Sequence, residues 1–302
     1  MSSGDMVADR RFDFARDLQL SGDLVAAEDL FVQTTDLAPG FATAWFTLGE
    51  VREQLGDRNG AIVAFRTAEM TDPGDRNGAG LRLMRLGASA TAGMRPTYVK
   101  ALFDQYAPRF EAALVDDLGY RGPALLLAAV AMTRAAAGRP LIFSRAIDVG
   151  CGTGLAARAF SAVVDEIIGI DLSPRMIERA RATGLYAELD VAEIVEGLGG
   201  RPDGCTDLIL AADVMAYMHD MTALLREVAR VLAAGGLFAF TVESHAGEGV
   251  VLGEGLRYAY SESCVRALVA AAGLVLDRLE SVSSRTESGV QVPGLVVVAA
   301  KA

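Results

Sequence analysis

Lysine is almost absent from this 302-residue sequence: Lys100 and Lys301 are the only two, and arginine supplies the rest of its 28 basic residues. Against 39 acidic residues this leaves a formal net charge of −11. That balance argues against non-specific binding to nucleic acid, whose phosphates demand a basic surface. There are two histidines and three cysteines, Cys151, Cys205 and Cys264, far apart and without a CxxC pair. A zinc site is therefore not expected, nor any other metal. Long apolar runs are missing too. The longest, GPALLLAAVAM, is too short to span a bilayer and ends before Arg134. The first residues, MSSGDMVADRRFDFARD, lack the apolar core of a signal peptide. No membrane association is expected, and a reducing, cytoplasmic setting is the default.

What is present is a chain built to bury a core. Hydrophobic residues make up 52% and charged residues 22%, unlike a disordered segment, and the length suggests about two domains. The first third repeats itself at an offset of 34 residues: Gly22 with Gly56, Ala27 with Ala61, Phe31 with Phe65, Pro39 with Pro73. Small residues stand where two helices must approach, aromatics fill between them, and proline stops the second helix. This spacing resembles the tetratricopeptide repeat (TPR). The first copy is degenerate, with Arg11 in the tryptophan position; Trp45 of the second is expected in the core. Two repeats are few, so residues 76–88 are expected to add a capping helix. Residues 5–90 form the expected repeat domain.

Residues 91–140 are expected as bridging helices. Tyr98, Phe103, Tyr106 and Phe110 either pack those helices or cover a ligand as a lid.

From residue 141 onward strand and helix signals alternate. RAIDVG, DEIIGI, LYAELD, CTDLILAA and GLFAFTVE read as five strands, with a helix in MTALLREVARVLAAGG closing on its glycines. Two more strands follow, GLVLDRLESV and GLVVVAAKA, joined by a polar turn without a helix, so the last must run antiparallel. The expected fold is α/β: a doubly wound, seven-stranded sheet with a reversed terminal strand, preceded by the all-α repeat domain.

Between the first strand and its helix stands DVGCGTG, whose Gly150, Gly152 and Gly154 suit a backbone cradle at a helix N-terminus. Leu155 occupies the position of the third glycine of a dinucleotide fingerprint. Asp148, two residues before Gly150, is not required by a dinucleotide; a sulfonium and ammonium cofactor offers it a role, directly or through water. Asp171 ends strand two, where a carboxylate accepts ribose hydroxyls. Asp190 ends strand three, where an acid accepts an adenine amino group. Three acids at three successive strand ends favour S-adenosylmethionine over NAD.

On these motifs, residues 97–302 resemble a class I S-adenosylmethionine-dependent methyltransferase, and the whole chain resembles its bacterial repeat-fused branch. The resemblance implies that Asp148, Gly150, Cys151, Gly152 and Gly154 form the cofactor loop and that Asp171 holds the ribose. It implies that Leu172 and Met176 flank the adenine, with Asp190 and the backbone of Val191 beside it. LILAADVMAY would lie beneath the methyl donor, and Tyr106 in LFDQYAPRF would belong to the covering lid. Two departures matter. Ala211, Ala212, Asp213 and Val214 replace the acid or amide and two prolines of enzymes that methylate amino groups of bases. Tyr260, in RYAYS, stands where a histidine is expected in repeat-fused relatives.

For the acceptor, Asp213, Tyr217 and His219 are the candidate catalytic residues, with Tyr217, Arg257, Tyr258 and Tyr260 as substrate contacts. Arg257 would suit an acidic acceptor. His219 is either a base or a surface residue, while His245 reads as surface, opening a glycine-rich stretch (244–260) expected as a mobile loop. The acceptor is expected to be a small molecule in a lidded pocket. The alternatives are a protein partner recruited through the repeats, or a cofactor-binding scaffold without turnover.

Overall fold

The computed structural model describes residues 2–89, 93–111, 119–253, 255–287 and 289–302. The boundary expected at 90/91, and residues 112–118 of the bridging segment, lie outside the described residues. The chain divides into two compact units, Met1–Ala101 and Leu102–Ala302.

The first unit is helical: α1 (Met6–Ser21), α2 (Leu24–Leu37), α3 (Ala42–Gln54), α4 (Arg58–Thr71) and α5 (Ala79–Arg85). The 34-residue offset recurs in the backbone. Gly22 and Gly56 both turn through the left-handed region, at φ +88° and +82°, which glycine enters without penalty. Asp23 and Asp57 then cap the next helix, accepting from the N–H groups of Ala26 (3.2 Å) and Gly60 (2.9 Å). Gly49 lets α3 and α4 approach: a methyl group there would lie 2.6 Å from the Phe65 ring. Trp45 packs on the core as expected, its Nε1 donating to the Pro39 carbonyl at 2.9 Å.

In the second unit, α6 (Pro96–Tyr106) ends and α7 (Gly122–Ala136) leads into β1 (Phe143–Val149). There follow α8 (Leu155–Phe160), β2 (Val164–Asp171), α9 (Pro174–Ala182), β3 (Glu188–Val191), α10 (Ile194–Gly199), β4 (Thr206–Ala211), α11 (Thr222–Val231) and β5 (Leu232–Ser244). The chain closes with β6 (Val250–Leu252), β7 (Tyr258–Tyr260), α12 (Glu262–Ala271), β8 (Leu274–Ser281), the hairpin β9 (Thr286–Glu287) and β10 (Val290–Gln291), and β11 (Gly294–Lys301). The sheet order is β3-β2-β1-β4-β5-β11-β8, with β11 antiparallel to both neighbours. That is the expected seven-strand path with its reversed last strand. Strands buried on both faces read as continuous apolar runs. On one face Leu126, Ala129 and Val130 of α7 pack over Ala146, Leu208, Leu210, Ala239 and Val298.

Three local expectations are corrected. The glycine-rich stretch after β5 is not a loop throughout: it holds the antiparallel pair β6–β7, and β7 joins β5 through Glu243 and Ser244, making the sheet nine-stranded. The helix expected to close on Gly235 and Gly236 ends earlier, at Val231. Those glycines lie in a bulge of β5, between the pairs Thr206↔Leu232 and Leu208↔Leu237, with Gly235 at φ +70°. Strand three begins at Glu188 rather than Leu185, which leaves Tyr186 ahead of the ladder and directed elsewhere. Among the described residues, no helix is long and apolar enough to cross a membrane.

Candidate active site

Strand order reverses between β1 and β4, and at such a switch point an open α/β sheet leaves a crevice beyond its strand ends. The DVGCGTG loop stands there. Gly150, Gly152 and Gly154 have φ of +67°, +55° and +96°, conformations that residues with a Cβ resist. Gly150 is further required by a close approach, because a methyl group would sit 2.5 Å from Cγ2 of Val214 after β4.

Asp171 is nearly buried at the end of β2. Its Oδ2 accepts the Gly152 N–H (2.9 Å) and its Oδ1 the Ser173 N–H (2.8 Å). Burial raises its carboxyl above the usual range despite those two donors. Asp171 thus shapes the loop, and each oxygen retains a lone pair for a ligand. Ser173 caps α9 by accepting from Met176 N (3.1 Å) and donates to Asp104 Oδ1 of α6 (2.6 Å). The sequence SPRM, a serine before a helix-starting proline, carried a signal for that cap.

Asp148 is fully buried. Its Oδ2 accepts from the Tyr186 hydroxyl at 2.7 Å, while its Oδ1 is buried with no hydrogen-bond partner. Burial pushes this carboxyl from 3.8 up to about 7, with Tyr186 opposing and Asp171 reinforcing the rise. Cys151 is also buried in the loop, and burial pushes its thiol up. Tyr186, 38 residues from Asp148, carries no local sequence signal.

The other expected cofactor residues take varied positions. Leu172 is half-buried, and Met176 is fully buried in the first turn of α9. Asp190 is bonded to Arg201, which also donates to Glu188 at 2.8 Å. Val191 and Tyr106 are exposed, the latter with the Arg109 guanidinium 5.2 Å from its ring centre.

Beyond β4 and β5 lies a buried charge network (Asp213, Arg257, Glu243, Arg285) at whose centre is Arg257. Its Nη2 donates to Asp213 Oδ1, its Nε to Glu243 Oε1 and its Nη1 to the Tyr217 hydroxyl. Arg285 Nη2 reaches the same Glu243 oxygen at 2.8 Å. Asp213 takes φ +63° and anchors its N–H on Thr241 Oγ1 at 2.8 Å. Burial lifts the Asp213 carboxyl above its ordinary value even beside Arg257, and lifts the Tyr217 phenol to about 12. The expected set is thus drawn together at Asp213, Tyr217 and Arg257. Arg257 is not a free cation for an acidic acceptor, because three of its nitrogen atoms are engaged internally. Glu243 and Arg285 complete the network unannounced, since one lies at the end of a strand and the other in the polar turn between the last two expected strands. Phe103 stands edge-on to Tyr217, with ring centres 5.0 Å apart, so α6 contributes an apolar wall.

Tyr258 and Tyr260 are fully buried; the Tyr260 hydroxyl bonds the Met218 carbonyl, and Tyr258 stands 5.4 Å from the exposed His219 ring. His245 braces its own turn, accepting from Gly247 N and facing the Gly249 carbonyl, each at 3.1 Å. Among the described residues, no group of His, Cys, Asp or Glu side chains converges as metal ligands would.

Comparison with known proteins places this geometry. Residues 147–240 match the family described as "Methyltransferase domain". A ubiquinone biosynthesis O-methyltransferase of Xanthomonas oryzae pv. oryzae (strain PXO99A) is 33% identical over 103 residues, 33% of this chain and 43% of that protein. The chain thus spans less than half the length of that relative. The solved 1,6-didemethyltoxoflavin-N1-methyltransferase of Burkholderia thailandensis, with its substrate and S-adenosylhomocysteine bound, is 19% identical. It covers 71% of this chain and 92% of its own, with a TM-score of 0.53. The [4+2]-cyclase SpnF shares the fold equally, at 22% identity, TM-score 0.52, and coverage of 70% and 97%. Strand order, glycine loop and family match thus agree on a methyltransferase domain over residues 147–240, in a sheet that shares the fold of the solved enzyme.

Proposed function

We propose that the chain is an S-adenosylmethionine-dependent methyltransferase acting on a small molecule. The observation that carries this is the left-handed glycine loop pinned by Asp171, with the buried, unpartnered Oδ1 of Asp148 behind it. A buried polar atom without a partner is costly, and a cationic cofactor relieves that cost. The fold alone does not decide the reaction, since the cyclase shares it. The O-methyltransferase and the didemethyltoxoflavin enzyme, by their names, act on small molecules.

When bound, S-adenosylmethionine supplies an electrophilic methyl group. The chain's own residues do the rest. Asp171 and the loop N–H groups hold the ribose and amino-acid portions, with Leu172, Met176, Asp190 and Val191 around the base. Phe103 and Tyr217 wall the acceptor side and exclude water, and Tyr106 closes over it as a lid residue. The Tyr217 oxygen accepts from Arg257, so its own proton is directed away from the guanidinium, toward an acceptor heteroatom. Asp213 accepts from the same guanidinium and so fixes Arg257, and through it the phenol, on the acceptor side.

The first unit is proposed as a pair of TPR-like repeats with α5 as cap, a platform for a protein partner. Its support is the turn and cap repeated at the 34-residue offset, with the close approach of α3 and α4 at Gly49. Three unpaired cysteines support a cytoplasmic setting.

Incubation of the full chain with methyl-labelled S-adenosylmethionine and separated metabolite and protein pools tests the reading. Label is expected in a small-molecule fraction. Label confined to protein would favour recruitment through the repeats, and none in either pool would leave a binding scaffold.

A further inference from the structure

Tyr186 is held where no secondary structure requires it. It precedes β3, outside the ladder, yet its ring runs under the glycine loop between two glycines. A methyl group on Gly154 would lie 3.2 Å from its Cε2, and one on Gly169 of β2 would lie 2.9 Å from its Cε1. Room for this ring, together with Leu189 (2.6 Å from the same methyl position) and Cys151 (3.0 Å), accounts for a glycine in the middle of the apolar strand IIGID. The hydroxyl ends on Asp148 Oδ2 at 2.7 Å, leaving Oδ1 sealed from water with no donor. Among the described residues, the titratable groups facing Asp148 are Tyr186 itself, Asp171 at the end of β2, Cys151 in the loop and Tyr120 ahead of α7. None of the four is a cation.

We propose that Tyr186 is a positioning residue of the cofactor site: its phenol holds one oxygen of Asp148 and leaves the other for the cationic amino-acid end of the ligand. This rests on the S-adenosylmethionine reading above. It also makes binding proton-linked. Without a ligand, the buried carboxyl takes a proton near neutrality, about pH 7, because burial disfavours its charge. A cation above the loop favours the ionised form, so binding expels that proton and tightens as pH rises toward 7. The phenol donates to the ionised form and thereby keeps the carboxyl from rising further.

The test is calorimetric titration of the full chain with S-adenosylhomocysteine from pH 5.5 to 8.5, in two buffers of different ionisation enthalpy. Affinity should rise by up to about tenfold per pH unit below 7, with close to one proton released, and level off above. Tyr186→Phe should move that break to higher pH: several-fold weaker binding at pH 7, recovered at pH 8.5. Methylthioadenosine, which lacks the amino-acid end, should bind with no such dependence. Asp148→Asn, similar in shape, should abolish it for S-adenosylhomocysteine as well. A Tyr186→Phe profile parallel to that of the parent chain, or the same pH dependence with methylthioadenosine or in Asp148→Asn, overturns the proposal. A parent chain that binds S-adenosylhomocysteine at no pH overturns the methyltransferase reading and this inference with it.

Discussion

Replacing Arg257 by methionine probes the buried network most directly. The long apolar stem is kept and the charge is lost. Glu243 retains Arg285 at 2.8 Å, so the burden falls on Asp213, whose side chain is only 17% exposed and whose ion-pair partner is Arg257. An uncompensated buried carboxylate escapes by taking a proton. Arg257 lowers the Asp213 pKa in the parent chain, so its loss lets burial raise the carboxyl further above the ordinary 3.8, while the unfolded chain ionises normally. The folded form holds a proton that the unfolded form releases, and stability is lost as pH rises. At about 1.4 kcal/mol per pH unit, keeping Asp213 protonated costs at most about 4 kcal/mol at pH 7 and about 2 kcal/mol at pH 5. The first figure falls within the ~3–5 kcal/mol seen when one member of a buried pair is removed. For a unit of this size it corresponds to a melting temperature lower by roughly 8–16 °C. Thermal denaturation followed by circular dichroism at pH 5, 6, 7 and 8 measures this. Adding Asp213→Asn to Arg257→Met should recover most of the loss at pH 8 and flatten the pH dependence. A loss in the single variant that is equal at pH 5 and pH 8 would refute the reasoning, because it would mean that the Asp213 charge is satisfied without Arg257.

Three further outcomes are expected. Asp171→Ala should weaken S-adenosylhomocysteine binding by at least ~100-fold by calorimetry, because two charge-assisted ribose contacts and the Gly152 anchor go together; a loss under fivefold would remove Asp171 from the ribose site. Tyr106→Phe should leave the melting temperature within about 1 °C, since the residue is 39% exposed, while lowering cofactor affinity or turnover; both unchanged would retire its lid role. Gly49→Ala should cost the first unit about 1–3 kcal/mol in chemical denaturation, because the added methyl meets the fully buried Phe65 ring at 2.6 Å; an unchanged midpoint would show that α3 and α4 separate freely.

Local chemistry was legible along the chain. The doubly wound order with its reversed last strand followed from apolar runs of strand length alternating with helical periodicity. The DVGCGTG loop was legible because its glycines encode a backbone shape within seven residues. The helix pairs of the first unit were legible because a 34-residue offset repeats the same turn and the same capping aspartate. Other features were closed to sequence alone, for one physical reason: a side chain's partner is set by where strand ends meet, not by its neighbours in the chain. Tyr186 looked like part of strand three until its hydroxyl found Asp148 across the sheet. Arg257 read as a free cation for a substrate, but the convergence of β4, β5 and β7 delivers Asp213 and Glu243 to it, and a buried guanidinium takes the carboxylates within reach. The stretch 244–260 read as a loop because its glycines obscure the strand pattern, yet β5 offers an edge whose open hydrogen bonds order β7. Composition and periodicity thus determined which elements form, and the glycine loop marked where a ligand suits the backbone; only tertiary packing decided which charges are spent internally and which oxygen of Asp148 is left without a partner.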